Sequence, residues 1–450
     1  MRKNLFRVIT FLISLYAVTS DQHEIDLYVF IHILIIGINT YSLFSYEKNP
    51  YSLHKVFHVF TLFFFGVAPV LQYYGNIRFL GEPSIPNEVK ITVSFIILIS
   101  TGLFNLIYML SFKYSNLSGV KSKIQKMTVL NFNKVKFSGS TNLLFIGLSL
   151  LSLITMLYIN DFNFVKLFFR GGDIVGNPIN ENTGNKTILL IANQFVRPIC
   201  FISFIISATY NKENKTLNLF LFLIFFITCS PTSLARNATA AYYIPLLLLF
   251  IPIFQKKHVF TSAMIGGIMV IFPFLNNFRR FNLDTKLTLG LNYEMFTHFH
   301  FDAYMTFCRV VNLDLVTYGN QLLGVLFFFI PRSIWLDKPQ SSGYFHAEVL
   351  NFKFKNIACT FLAEGYINFG YVGVFLFLFF IAWFSGRLDK IFWTYIKHKS
   401  YYNILYILFL GMFLFILRGD LMNGYSYTLG LLLSALFVYY LVVKKNSFKL

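Results

Sequence analysis

Arginine carries the most informative chemistry in this sequence. Charged residues make up only 13% of the chain. Arginines nevertheless recur near the ends of apolar runs, at Arg170, Arg236, Arg279, Arg280, Arg309, Arg332 and Arg418, and Arg197 lies inside one. A guanidinium near hydrocarbon costs free energy unless it is paired, and its planar fork fits phosphate oxygens. The pattern predicts an anion site at a membrane boundary, with paired structural arginines as the alternative.

Residues 331–343 contain two cations in a short, rigid segment. Pro331 ends an apolar run, and Trp335 is a side chain typical of the headgroup level of a membrane. A structural exit from the membrane explains Pro331 and Trp335 but does not require both Arg332 and Lys338. We therefore expect this segment to help bind a phosphate.

Several residues are candidates for proton transfer. Glu364 lies in the run 363–370, which leads directly into an apolar helix. It is either a general base, a partner that orients an arginine, or an acid that favours the positive end of a helix dipole. His300, Asp302 and His346 are further candidates for the base.

The pattern His298-x-His300-x-Asp302 raises a metal hypothesis, because alternating residues of an extended strand point the same way. No third histidine follows, and as a helix the same segment would pair His298 with Asp302. The sequence also has no Walker A, GxGxxG, GxSxG or HExxH motif. We expect no metal and no cofactor.

The elements that must position these residues are membrane helices. The 450 residues are 56% hydrophobic and 19% aromatic, which excludes an ordinary soluble protein. An all-α polytopic membrane protein is predicted, with about 12 transmembrane helices and 11–14 as the plausible range. The predicted apolar runs are 5–19, 27–46, 57–74, 91–112, 142–159, 188–209, 217–231, 240–254, 259–275, 370–386, 401–417 and 425–443.

The distribution of charge predicts the orientation. Loops on the Met1 side hold 22 Lys or Arg against three Asp or Glu, whereas the opposite loops hold 15 against 16. The positive-inside rule places both termini in the cytoplasm. The net charge of +19 then lies on one face, where it attracts anionic lipid headgroups, so no nucleic-acid partner is expected.

One predicted outer loop, residues 276–369, is far longer than an ordinary connection, and a smaller one covers 160–187. Within the large loop, the apolar run 321–331 is too short to span and predicts a re-entrant or interfacial helix. We interpret residues 1–450 as a single multi-span domain whose working surface faces outward.

An ordered set of fragments resembles the Wzy-type O-antigen or oligosaccharide repeat-unit polymerases of bacterial envelopes. The resemblance covers about residues 160–424 and is most specific at 331–343 and at the Glu-x-x-x-Asn-Phe-Gly run. The fragments are Phe169-Arg170-Gly171-Gly172, Ser233-Leu234-Ala235-Arg236-Asn237, Phe278-Arg279-Arg280, His300-Phe301-Asp302, the run 331–343, the run 364–370 and Leu417-Arg418-Gly419-Asp420.

The resemblance implies a membrane glycosyltransferase that joins undecaprenyl-diphosphate-linked oligosaccharide repeat units, without metal or nucleotide sugar. It places the enzyme in the bacterial inner membrane with its active site facing the periplasm, in O-antigen, lipopolysaccharide or capsule-type polysaccharide biosynthesis. A flippase and a chain-length regulator of the same pathway are implied partners.

The resemblance also implies roles for the candidate residues. The expected diphosphate ligands are Arg170, Arg236, Arg279, Arg280, Arg332, Lys338 and Arg418. The expected catalytic residues are Glu364, His300, Asp302, His346 and Arg332. Glu364 ranks first as the general base.

Three other functions stay open. An O-antigen ligase shares the lipid-diphosphate donor and differs chiefly in its acceptor. A polyprenyl-phosphate-sugar transferase of the GT-C type would place essential acids in the first outer loop. A flippase or transporter for the same lipid-linked unit would show roughly symmetric halves with ionisable residues at the midplane.

Overall fold

The computed structural model describes residues 10–14, 16, 25–46, 49–81, 84–117, 137–169, 186–271, 274, 293–355, 357–398 and 400–444. All regular secondary structure within these ranges is helical. Among the described residues, the helices with defined bounds before the long loop region are α1 Leu27–Tyr41, α2 Leu53–Thr61, α3 Ala68–Tyr74, α4 Asn87–Tyr114, α5 Gly139–Ile159, α6 Lys186–Ile191, α7 Arg197–Tyr210, α8 Lys215–Thr228, α9 Arg236–Phe250 and α10 Val259–Gly266.

Six further helices follow. They are α11 Ala303–Asn312, α12 Asn320–Leu326, α13 Ser342–Val349, α14 Phe361–Tyr395, α15 Tyr401–Arg418 and α16 Leu421–Val438. Several helices continue without interruption into a π-helical turn, for example Ala192–Val196, which joins α6 to α7.

The described helices include eight that are long and apolar enough to cross a membrane. They are Leu27–Phe44, Leu53–Tyr74, Asn87–Tyr114, Gly139–Ile159, Ile188–Tyr210, Phe361–Tyr395, Tyr401–Arg418 and Leu421–Val442. Three shorter apolar helices are Lys215–Thr228, Ala238–Phe250 and Val259–Ile271. The protein is thus an all-helical, polytopic membrane protein over its described residues. The twelve crossings and their orientation stay predictions, and run 5–19 lies largely outside the described residues.

Polar side chains fix where these helices begin. The first backbone N–H groups of a helix have no partner within it, so a side chain that accepts from them stabilises the start. Ser52, Ser138, Thr360 and Asp420 do this for α2, α5, α14 and α16.

The core of the bundle is built around the span Leu53–Tyr74, most of which is buried. Beside it, α4 and α14 pack closely along their length. A Cβ atom on Gly386 would lie 2.6 Å from the Tyr108 carbonyl oxygen, so the missing side chain lets the two backbones approach. Ser111 adds a hydrogen bond of 2.6 Å to the Trp383 carbonyl.

The loop region contains more helix than the sequence predicts at its end. We expected the large loop to extend to residue 369, but α14 begins at Phe361 and breaks only at Phe369 and Gly370, where Gly370 has φ +60°. The residues before the break are buried. The short apolar run 321–331 forms only the seven-residue α12, followed by turns.

Candidate functional site

Two neighbouring cavities meet at Arg418. The polar cavity has a volume of about 390 Å³, and its polar lining includes Asn193, Gln194, Arg197, Asp420 and Asn423. The apolar cavity has a volume of about 400 Å³, and its lining includes Phe64, Leu247, Phe260, Met264 and Ile268. Both are bounded by Ala235, Ala358, Phe415 and Arg418. The guanidinium therefore lies at the boundary between a polar space and an apolar one.

Arg197 is the second cation of the polar cavity. It lies near the middle of the span Ile188–Tyr210, directly after the π-helical turn Ala192–Val196. Its Nε atom is buried and has no hydrogen-bond partner among the described residues. Gln194, in the same turn, donates from Nε2 to Ser426 Oγ at 3.0 Å, whereas its buried Oε1 has no such partner. Both residues line the polar cavity, and these two atoms lie buried within its wall.

Contacts from the loop region hold Arg418 in place. Its Nε and Nη2 atoms donate to the His300 carbonyl oxygen at 3.2 and 2.8 Å. Asp302 lies between two arginines, with Oδ1 3.8 Å from Arg418 Nη2 and Oδ2 3.8 Å from Arg309 Nη1. The Arg418 side chain stays 27% exposed, whereas Asp302 is buried and lines neither cavity. These contacts support a role for Asp302 in orienting Arg418, and its catalytic role stays a prediction.

Two buried carboxylates connect α13 to the start of α16. Asp420 Oδ2 accepts from Gly343 N at 2.7 Å, and its Oδ1 accepts from the Met422 and Asn423 N–H groups. Glu364 accepts from Leu421 N at 2.9 Å and from Ser342 Oγ at 2.6 Å.

Only one of these carboxylates faces the polar cavity. Asp420 lines it, whereas Glu364, our first-ranked base, lies behind the wall and lines neither cavity. A Cβ atom at Gly343 would clash with the Ile357 carbonyl oxygen, so only glycine lets residue 343 lie this close to the backbone of Ile357. Burial raises the pKa of Asp420, although its hydrogen-bond donors oppose the shift.

His346 and His300 have different surroundings. His346 is buried, and its Nδ1 lies 3.2 Å from the Ser342 carbonyl oxygen. Burial and the nearby Arg309 lower the pKa of His346 to about 3, so the imidazole is neutral. It lines neither cavity, whereas His300 lines the apolar one and is partly exposed.

The two cations of the 331–343 segment bind the backbone of their own turn. Arg332 donates to the carbonyl oxygens of Lys338 and Pro339 at 2.5 and 3.0 Å. Lys338 donates from Nζ to those of Phe328 and Ile330 at 2.5 and 2.9 Å. Neither residue lines either cavity. Their role as diphosphate ligands stays a prediction, and these contacts support a structural role.

The other four arginines predicted to bind the diphosphate fall wholly or partly outside the described residues. Arg170, Arg279 and Arg280 lie outside the described residues, as does the side chain of Arg236. Arg236 begins α9 and follows Ala235, which lines both cavities. Among the described residues, no group of three or more His, Cys, Asp or Glu side chains is arranged to hold a metal ion.

The sequence motifs identified part of this site. Arg418 was predicted, and Arg197 stood out as a cation inside an apolar run. Asp420, Gln194, Asn193 and Asn423 were missed as site residues. The available signal was a polar residue within, or next to, an apolar run that also contains an arginine.

Comparison with protein-family models, with curated proteins and with solved structures finds no match to this chain. The two cavities are the features of the molecule that indicate what it binds. Their shared arginine, the second cation of the polar cavity and the facing carboxylate suit an amphiphile that has an anionic head and a hydrocarbon tail.

Proposed function

We propose that the protein is a polysaccharide polymerase, a membrane glycosyltransferase that joins undecaprenyl-diphosphate-linked oligosaccharide repeat units. The observation that carries this proposal is the position of Arg418 between a polar and an apolar cavity. A lipid diphosphate has a charged head joined directly to a long hydrocarbon chain. Its junction matches the boundary at which this guanidinium lies.

In the proposed reaction a hydroxyl group of the incoming unit attacks the anomeric carbon of the growing glycan. A new carbon–oxygen bond forms, the bond between the anomeric carbon and the diphosphate breaks, and undecaprenyl diphosphate leaves with the electron pair. Arg197 and Arg418 stabilise the negative charge that develops on the leaving group. No bound metal or nucleotide is required for this step.

Asp420 is the proposed acceptor of the hydroxyl proton, because it is the carboxylate that faces the polar cavity alongside the two arginines. Burial raises its pKa toward the range in which a carboxylate is an effective base. Glu364 contributes by holding Ser342 and Leu421, which flank the groups that position Asp420. This assignment revises the ranking made from the sequence.

The proposed setting is the bacterial inner membrane, with the reaction on the periplasmic face. A flippase would supply the lipid-linked unit, and a chain-length regulator would limit the product. O-antigen, lipopolysaccharide and capsule-type polysaccharides share this donor chemistry.

The test is a glycan gel of surface polysaccharide from the native host. Strains with the gene deleted, with the gene restored, and with Arg418→Ala or Asp420→Asn are compared at equal protein abundance. Loss of the polymer ladder in the deletion and both variants, with single repeat units still reaching the surface, is the expected result. A full ladder in the deletion strain would contradict the proposal.

Other patterns identify the alternatives. Polymer retained on its lipid carrier indicates an O-antigen ligase, and repeat units trapped on the cytoplasmic side indicate a flippase. Loss of one sugar from every unit indicates a GT-C type transferase.

A further inference from the structure

The end of α12 and the turn that follows it expose several large apolar side chains that are close together in the sequence. They are Leu323, Leu326, Phe327, Phe329, Ile334 and Leu336. Ile334 and Leu336 are the extreme cases, with 77% and 80% of their surface exposed. Soluble surfaces carry single exposed apolar residues, whereas a contiguous patch marks a surface that another apolar phase covers.

The position of this turn indicates what that phase is. A Cβ atom on Gly324 would lie 3.0 Å from Met422 Cε, and the rings of Phe328 and Tyr425 are 5.9 Å apart. Met422 and Tyr425 belong to the first turns of the candidate span Leu421–Val442. The turn and α12 therefore pack against the start of a candidate span, near the level at which that span would enter a bilayer.

The backbone of the turn is also satisfied in the way that an apolar environment requires. Lys338 and Arg332 together donate to four backbone carbonyl oxygens of residues 328–339. In water these carbonyls would find partners without side-chain help, but irregular backbone at membrane depth must be satisfied by the protein. Long cationic side chains can do this while their charged ends stay near the headgroups.

We propose that residues 327–338 form an interfacial anchor, a turn that inserts its apolar edge into the lipid leaflet on the side of residues 293–368. The occupant of the patch is membrane lipid, at the boundary between headgroups and acyl chains. Arg332 and Lys338 clamp the inserted backbone, and Trp335 lies at the headgroup level. The anchor leads into Ser341 and Gly343, so it also steadies the segment that holds Asp420. This inference does not depend on the proposed glycosyltransferase function.

Site-specific fluorescence in lipid vesicles tests the anchor in the full chain. The native cysteines Cys200, Cys229, Cys308 and Cys359 are all buried, so a new surface cysteine can be labelled selectively. Ile334→Cys and Leu336→Cys place a thiol-reactive, environment-sensitive fluorophore on the patch. Glu348→Cys is the matched control, because Glu348 lies on the same loop region, is half exposed and pairs with Lys355.

Vesicles are prepared with lipids brominated near the headgroup end or near the methyl end of the acyl chain, and iodide is added to the water. The labels at 334 and 336 should emit at shorter wavelength than the label at 348. They should lose most of their fluorescence to the shallow bromines, less to the deep ones and little to iodide. The label at 348 should respond to iodide alone.

Two results would overturn the anchor. If iodide quenches the labels at 334 and 336 and the brominated lipids do not, the patch is in water. If neither quencher reaches them, protein covers the patch, either a second copy of the chain or another partner.

Discussion

Buried polar groups serve opposite purposes in two regions of this molecule. In the scaffold, formed by α1, α2, α4 and α14, most of them are matched by partners of the protein itself, as at Asp389. Around the polar cavity, formed by α7, α15, α16 and the π-helical turn before α7, two buried polar atoms without a described partner belong to residues that line the cavity. The difference separates side chains that hold helices together from side chains placed to meet a ligand.

Asp389 illustrates the scaffold. Its carboxylate accepts hydrogen bonds from the Leu53 and His54 N–H groups at 3.1 and 3.3 Å, and from the Tyr108 and Tyr406 hydroxyls at 2.8 and 2.6 Å. Four donors from three other helices stabilise a buried carboxylate and the start of α2. The group has no remaining need for a ligand.

The region around Arg197 shows the contrary arrangement. Its Nε and the Oε1 of Gln194 are buried in the cavity wall without described partners, an arrangement that costs free energy. A ligand recovers this cost only if the wall rearranges so that the two atoms reach it. We therefore expect mutations in the two regions to have opposite effects on activity and on stability.

The largest expected effect is at Arg197. Arg197→Met should lower polymer formation by about 10²–10³-fold, the usual loss when a group that stabilises transition-state charge is removed. It should leave thermal stability unchanged or raised, since an apolar side chain replaces a poorly paired charge. Polymer yield per protein and the melting temperature in detergent measure the two effects. Arg387→Met, at an exposed position of α14, is the control and should alter neither.

Asp389→Asn should show the reverse pattern. The amide retains one acceptor oxygen and no charge, so the free energy of unfolding should fall by about 2–3 kcal/mol. The polymer made per folded molecule should stay the same, because Asp389 lines neither cavity. Asp161→Asn, which alters an exposed acid, should be neutral for stability. A stable Asp389→Asn protein with no activity would contradict the purely structural role of Asp389.

His346 predicts a pH dependence of stability. Its pKa is about 3 in the folded protein and about 6.5 in an unfolded chain. Between about pH 3 and pH 6.5 this histidine is therefore protonated in the unfolded chain and neutral in the folded protein. The contribution of His346 to stability is complete above pH 6.5 and falls by about 1.4 kcal/mol per pH unit below it, levelling near pH 3. Unfolding of wild type and His346→Gln at several pH values should show a shallower decline in the variant. Parallel curves would refute the buried, neutral histidine.

The smallest effect is expected at Gln194. Gln194→Leu removes one neutral hydrogen-bonding group from the cavity wall, which should weaken substrate binding by about 3- to 10-fold. The apparent KM for the lipid-linked unit measures it. Gln321→Leu is the matched control, because Gln321 also has a buried Oε1 without a described partner but lines neither cavity. Equal effects of the two substitutions would show that the effect at Gln194 does not depend on its position in the cavity wall.

The membrane helices were predictable because each apolar run must satisfy its backbone internally and become a helix. Eleven described helices fall on predicted runs. The start of α14 was less visible, because Glu364 and Asn368 interrupt its apolar pattern. Its signals were the N-cap Thr360 and the glycine that allows the break at Gly370.

The site itself was only partly predictable. Arg332 and Arg418 look alike in the sequence, since each lies beside an apolar run near a proline or glycine. Their difference is tertiary: Arg332 binds carbonyls of its own turn, whereas Arg418 is held by His300 and Asp302 at a cavity boundary. The polar cavity combines residues from 193 to 431, and the contacts between such distant positions are not encoded in local spacing.

The most direct test of the central claim is the binding of undecaprenyl diphosphate to the purified protein. Native mass spectrometry or a thermal-shift titration can compare wild type with Arg197→Met, Arg418→Ala, Arg332→Ala and Arg387→Met. The two-cavity account predicts that binding is lost in the first two variants and retained in the last two. Retained binding in Arg197→Met and Arg418→Ala, or its loss only in Arg332→Ala, would show that the lipid diphosphate is bound elsewhere.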